Sequence, residues 1–160
     1  MGLFGNKIKV KKRRAGTIAY IEFKGPYGKI PFDEYYGKII AWIKKSKAGI
    51  RGGPLAIYAS DPAVTPENEL VTKVAMPIGK AVPPEGEIKV ESLPEMEVAV
   101  KVHNAPADQY NASYAELKKW VSENGYELFG APLEIYTDKP KVKDGKTIIY
   151  SEIQFPVKKK

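Results

Sequence analysis

Between residues 97 and 103 the chain alternates: Glu97-Val98-Ala99-Val100-Lys101-Val102-His103. A period of two predicts a β-strand, because successive side chains in a strand point to opposite faces. Thr17-Ile18-Ala19-Tyr20-Ile21-Glu22-Phe23 predicts a second strand. The pattern then changes. Phe32, Tyr36, Ile39 and Ile43 are spaced four, three and four apart, the spacing of one helix face, and predict a helix from about Phe32 to Lys45. Tyr110, Tyr114, Leu117 and Val121 repeat that spacing and predict a helix from about Gln109 to Asn124. Lys38, Lys44, Lys118 and Lys119 fall on the wet sides of these helices. Asp108 is the expected N-cap of the second helix, and Gly49 and Gly125 are the expected stops. Two strands are predicted after each helix: Leu55 to Ala59 and Leu70 to Met76, then Leu133 to Thr137 and Thr147 to Phe155. The proline-, lysine- and glycine-rich stretches 62–66 and 139–145 read as connecting loops.

The chain says much of this twice. Ile8-Lys9-Val10 recurs as Ile88-Lys89-Val90. Trp42 and Pro54-Leu55-Ala56-Ile57-Tyr58 recur as Trp120 and Pro132-Leu133-Glu134-Ile135-Tyr136. Met76-Pro77-Ile78 recurs as Phe155-Pro156-Val157. The offset drifts only between 78 and 80, as small insertions in surface loops would make it. A single domain over residues 1–160 is expected, built from half-repeats at about 7–78 and 87–158 with a linker at 79–86. The predicted fold class is α+β: tandem β-α-β-β repeats forming a mainly antiparallel sheet, with two helices on one face and the other face left for a ligand.

Composition narrows the function. The chain has no cysteine, which excludes disulfides, thiolate metal sites and a cysteine nucleophile. No apolar run approaches the length needed to span a membrane, and no signal peptide is visible, so the cytoplasm is the expected location. The Met1-Gly2 start has Asn6 where acylation wants Ser or Thr. The net charge of +7 invites a nucleic-acid reading, but the charge sits at the ends. Lys7, Lys9, Lys11, Lys12, Arg13 and Arg14 precede any acid, and Lys158, Lys159 and Lys160 close the chain. Without those nine, 17 cations face 19 acids. Direct nucleic-acid binding is therefore not expected. His103 is the only histidine and reads as structural. With no phosphate-binding glycine motif and no catalytic triad, neither metal nor cofactor is expected.

Lys24-Gly25-Pro26-Tyr27, Trp42, the run Gly130 to Tyr136, and the terminal Ser151-Glu152-Ile153-Gln154-Phe155-Pro156-Val157, in this order and with the duplication, resemble the GyrI-like family. That family supplies small-molecule-binding domains, among them the effector-binding parts of multidrug-sensing transcription activators. The resemblance implies a ligand cleft between two pseudo-symmetric halves, aromatic walls, and an acid on the last strand facing an aromatic or cationic ligand. It also implies two alternatives. One is a hydrolase detoxifying an electrophilic small molecule with a Glu and a Tyr. The other is a protein inhibitor of a partner such as DNA gyrase. The chain departs from the activators in having too few residues before its first strand for a helix-turn-helix module.

The resemblance points to Glu152, and strand alternation extends the set. With Ile149, Ile153 and Phe155 facing the helices, Tyr150, Glu152 and Gln154 share the other face. With Leu133 and Ile135 facing in, Glu134 and Tyr136 turn to the ligand, as does Tyr58 in the first copy. Lys73 matches Glu152 by the repeat and is expected near it, where it would offset the acid's charge. The expected ligand-binding set is Tyr58, Lys73, Glu134, Tyr136, Tyr150 and Glu152. Aromatic faces and carboxylates together suit a planar cation. For the hydrolase alternative, Glu152 would be the base, with Tyr150 or Tyr136 as the acid.

Overall fold

A computed structural model describes residues 7–160, so the Met1-Gly2 start lies outside the described residues. Twelve principal elements follow in chain order. They are β1 (Lys9–Arg13), β2 (Gly16–Lys24), α1 (Phe32–Ser46), β3 (Leu55–Tyr58), β4 (Val71–Ile78) and β5 (Lys89–Leu93). Then come β6 (Met96–Pro106), α2 (Tyr110–Glu123), β7 (Tyr126–Leu128), β8 (Leu133–Tyr136), β9 (Lys141–Lys143) and β10 (Lys146–Lys159). The fold is α+β, and its strand pairs are antiparallel.

The chain forms two compact units. The first, Arg14–Glu95, has strand order β3-β4-β2-β5. Its helix α1 closes a core of Ala19, Ile21, Ile39, Trp42, Ile43, Met76, Ile78 and Ile88. The second unit joins the described residues up to Arg13 to Met96–Lys160, in the order β1-β6-β10-β8. There α2 packs on Ala99, Ile153, Phe155 and Val157 through Leu117 and Val121. The units do not follow the sequence copies strand for strand. β1, from the first copy, pairs with β6, and β5, from the second, pairs with β2.

The expected helix faces are the buried ones. Tyr110 and Tyr114 pack against the second core, Leu117 is fully buried, and Val121 is 2% exposed. The ends differ from expectation. Asp108 does not cap α2; it lies in a short 3-10 turn, and Gln109 takes the cap position without a side-chain hydrogen bond. α1 ends on Lys47, left-handed at φ 60°, whose N–H donates to the Ile43 carbonyl. Gly49 lies beyond that turn, whereas Gly125, at φ 80°, directly follows Asn124, the C-cap of α2.

The stretch 139–145, expected as a loop, contains β9. Asp144 (φ 52°) and Gly145 (φ 75°) make the two-residue turn that returns it onto β10. Asp-Gly is a strong hairpin signal because both central residues of the favoured turn need positive φ. β7, also unanticipated, pairs with the other end of β10. A single 14-residue strand is thus flanked on one side by β9, β8 and β7 in turn.

Candidate functional site

Residues directly opposite in an antiparallel pair share a face. On β10, Ser151 is opposite Tyr136 and His103, and Ile153 is opposite Glu134 and Lys101. Ile153 belongs to the core beneath α2, so Glu134, Tyr136, Ser151 and His103 lie on the helix side. Glu152 is opposite Ile135 and Val102, on the reverse face, with Tyr150 and Gln154 at the same parity. This corrects the expected sidedness of β8. Glu134 and Tyr136 face α2, and Leu133 and Ile135 share the face of Glu152. Alternation misled because β8 is covered on both faces: Leu133 is 2% exposed and Glu134 only 4%. In the first unit Tyr58 is opposite Thr72, itself opposite Phe23, and Phe23 packs edge-on to Tyr35 of α1. Tyr58 therefore also lies on its helix side, and Lys73 on the reverse.

Six expected residues thus fall into separate settings, and one of these has the makings of a site. Glu134 is a buried carboxylate that accepts hydrogen bonds from the hydroxyls of Tyr114, on α2, and Tyr136, at 3.1 Å. The Tyr110 hydroxyl interacts with the same carboxylate and stands 2.9 Å from Ser151 Oγ. Burial pushes the Tyr110 hydroxyl far above its ordinary range, and the Glu134 charge adds to that. Tyr110 therefore stays a hydrogen-bond donor and never a phenolate. His103 stacks on the Tyr110 ring at 4.0 Å and 12°. Its Nε2 is 3.2 Å from the Pro106 carbonyl, which can only accept, so Nε2 carries the proton. Nδ1 then accepts from the Ser113 hydroxyl at 2.8 Å. Burial, and next the charge of Lys101, lower the His103 pKa, so the ring is neutral and holds Tyr110 in place.

The duplication offers an internal control. The first unit has Phe23, Phe32, Tyr36, Ala56, Tyr58 and Thr72 where the second has His103, Tyr110, Tyr114, Glu134, Tyr136 and Ser151. Around the single change of Ala56 to Glu134, two phenylalanines have become hydrogen-bonding rings. The first unit also shows what that network satisfies. Thr72 is fully buried, and its hydroxyl has no partner among the described residues, because Phe32 has no hydroxyl to match that of Tyr110. Replacing Thr72 with Val, which keeps the shape and removes the orphan, is expected to stabilise the protein by about 1 kcal/mol. A thermal melt should show a rise of roughly 2–4 °C; a fall would mean that the hydroxyl is bonded.

The reverse face holds Glu152 and Tyr150. Glu152 pairs with Lys11 at 2.9 Å and accepts from Gln154 Nε2 at 2.6 Å. Burial pushes its carboxyl up. The hydrogen bonds from Lys11 and Gln154 and the charges of Lys11 and Lys9 outweigh that and hold it below its usual range. A carboxylate kept ionised in this way is a weak base. The Lys141 ammonium sits 5.4 Å from the Tyr150 ring centroid. Lys73 pairs with Glu91 at 2.7 Å and lies over the Tyr20 ring. By the repeat, Glu91 corresponds to Lys11 and Lys73 to Glu152, so the two units carry the same ion pair with its charges exchanged.

Among the described residues, no group of three or more His, Asp or Glu could hold a metal ion, and no helix is long and apolar enough to cross a membrane. A shallow groove on the first unit, lined by Lys38, Ala41, Trp42, Glu85, Gly86 and Ile88, includes none of the six expected residues.

Comparison with known proteins agrees with this architecture. The model of the GyrI-like small molecule binding domain matches residues 6–158, and the chain belongs to that family. Among solved structures, EcmrR in a complex with DNA superposes with a TM-score of 0.79 at 22% identity, covering 99% of this chain. This chain spans 59% of the length of that EcmrR chain. A hydrolase from Listeria innocua gives 0.71 at 14% identity, over 96% of this chain and 92% of its own. SAV2435, solved bound to tetraphenylphosphonium, gives 0.58 at 14% identity, over 95% and 94%. At these identities the likeness is one of fold. No curated protein matches the chain at a significant level.

The sequence puts Tyr110 and Tyr114 on the buried helix face, reads His103 as structural, and gives Ser151 no place in the ligand-binding set. A positional signal exists for two of them: His103 and Tyr110 stand where the first copy has Phe23 and Phe32, as Glu134 stands where it has Ala56.

Proposed function

We propose that this protein binds an aromatic, cationic small molecule at Glu134 and its ring of tyrosines, with the cytoplasm as its setting. The observation that carries the reading is a carboxylate only 4% exposed that accepts hydrogen bonds from the hydroxyls of Tyr114 and Tyr136. Burial of a charge is costly, and hydroxyl donors offset part of that cost without themselves carrying charge. A cation arriving beside it gains Coulomb energy in a poorly screened setting. Half-buried Tyr110, Tyr114 and Tyr136 supply π faces for stacking and cation–π attraction. Membership of a small-molecule-binding family supports the reading, as does the related fold of SAV2435 with its tetraphenylphosphonium.

Hydrolysis has weaker support. Tyr136 lies across the sheet from Glu152 and Tyr150, so the expected base and acids do not all converge, and Glu152 is held ionised by Lys11.

The test uses two probes of one shape and opposite charge. Tetraphenylphosphonium should quench the intrinsic tyrosine and tryptophan fluorescence saturably, and tetraphenylborate should not. A linear response to the cation, or equal binding of the two ions, would remove the proposal.

A further inference from the structure

The reverse face of the second unit carries a cation that its surroundings leave undercompensated. β1 presents Lys9, Lys11 and Arg13 to this face, and Lys11 and Arg13 reach across β6 to β10. Beneath them Val98 is fully buried and Val100 is 3% exposed, so the two long side chains run over an apolar floor. Lys11 meets Glu152. Arg13 does less well. Among the described residues its guanidinium makes one hydrogen bond, from Nη1 to Gln154 Oε1 at 3.4 Å, the long end of the range. Its Nε is buried without a partner among the described residues.

Gln154 is 3% exposed and is not free to improve on this, because its amide Nε2 is committed to Glu152. The single carboxylate of the group is shared between Lys11 and the amide, and it faces Lys9, Lys11 and Arg13 together. The cluster is cationic by two charges. The first unit has Leu93 and Ala75 at the positions of Arg13 and Gln154, so the guanidinium and the amide that orients it are additions peculiar to the second.

We propose that Arg13 forms an anion-binding site, with Gln154 fixing its orientation, and that its occupant is the carboxylate of a small organic acid. The Nε edge of a guanidinium presents two parallel N–H donors, which match the two oxygens of a carboxylate. A bound oxyanion would satisfy the orphaned Nε–H and neutralise one of the two excess charges. This site lies on the opposite face of the sheet from Glu134 and selects the opposite charge, so it stands or falls independently of the proposed function.

The experiment is an NMR titration of the full, 15N-labelled chain with sodium benzoate. Ionic strength is held constant with sodium chloride, and the Arg13 Nε–H resonance is the readout. It is identified by its absence from the spectrum of Arg13→Lys. Expected is a saturable shift of that resonance. Backbone signals of β1 and β10 should follow with the same midpoint, and in Arg13→Lys the affinity should fall at least about tenfold, since lysine keeps the charge and lacks the fork. The wild-type titration decides the question even if the variant folds poorly. An unmoved Nε–H, as a resident water would give, overturns the proposal, as does a shift no larger than chloride produces. Tighter saturation by inorganic phosphate than by benzoate would uphold the site and assign it to phosphoryl groups.

Discussion

Glu134→Gln should lower the affinity for tetraphenylphosphonium by about tenfold or more, a loss of at least ~1.4 kcal/mol. The substitution removes one charge and almost no volume. The fold should survive it, because the tyrosine hydroxyls can accept from an amide as readily as they donate to a carboxylate. The weak response to tetraphenylborate should rise or stay level, since the charge that repels it has gone. This pair of outcomes separates an electrostatic site from a greasy one. If Glu134→Gln binds the cation unchanged, the carboxylate is structural, and the tyrosines serve only to satisfy it.

The largest stability effect should come from Leu117→Ala. Leu117 is fully buried at the centre of the face that α2 lays on Ala99, Ile153 and Phe155. Truncating a buried leucine costs about 2–5 kcal/mol, through lost transfer energy and the cavity left behind. For a chain of this size each kcal/mol moves the melting temperature by roughly 2–4 °C. A drop of about 10 °C is therefore expected for a loss of ~3 kcal/mol. The neighbouring, exposed Lys118→Ala should stay within ~0.5 kcal/mol of wild type. Similar melts for both variants would mean that α2 does not depend on this face.

Periodicity revealed the elements well. Both helices and the strands β2, β3, β4, β6, β8 and β10 stand within a few residues of where spacing and alternation put them. What spacing could not supply was sidedness. A half-exposed strand reports its buried face through its apolar residues, but β8 is covered on both faces and gives no such report. Polarity alone turns apolar Leu133 toward the helix and charged Glu134 away from it, the reverse of the observed register. A carboxylate can lie on the helix side here only because Tyr114 and Tyr136 reach it, and hydroxyl positions are decided by packing that no one-dimensional pattern encodes. The same limit applied to Lys73. The repeat showed that it matches Glu152 but not that each would find its counter-ion in its own unit. β9 was legible and overlooked: Asp144-Gly145 between Val142 and Thr147 is a hairpin written in sequence.

The pairing of β1 with β6 bears on how the chain is made. During synthesis β1 leaves the ribosome before its partner, which follows only after the whole of the first unit, Arg14–Glu95, has been translated. For that interval β1 is a solitary strand with unsatisfied backbone N–H and C=O groups, the kind of segment that recruits neighbouring chains. Its sequence, Lys-Val-Lys-Lys-Arg, is what a nascent strand in that position needs. Mutual repulsion among four cations keeps it from pairing with copies of itself until Glu97 and the valines of β6 arrive. The charge of β1 therefore disfavours its pairing with a second copy of itself while β6 is absent.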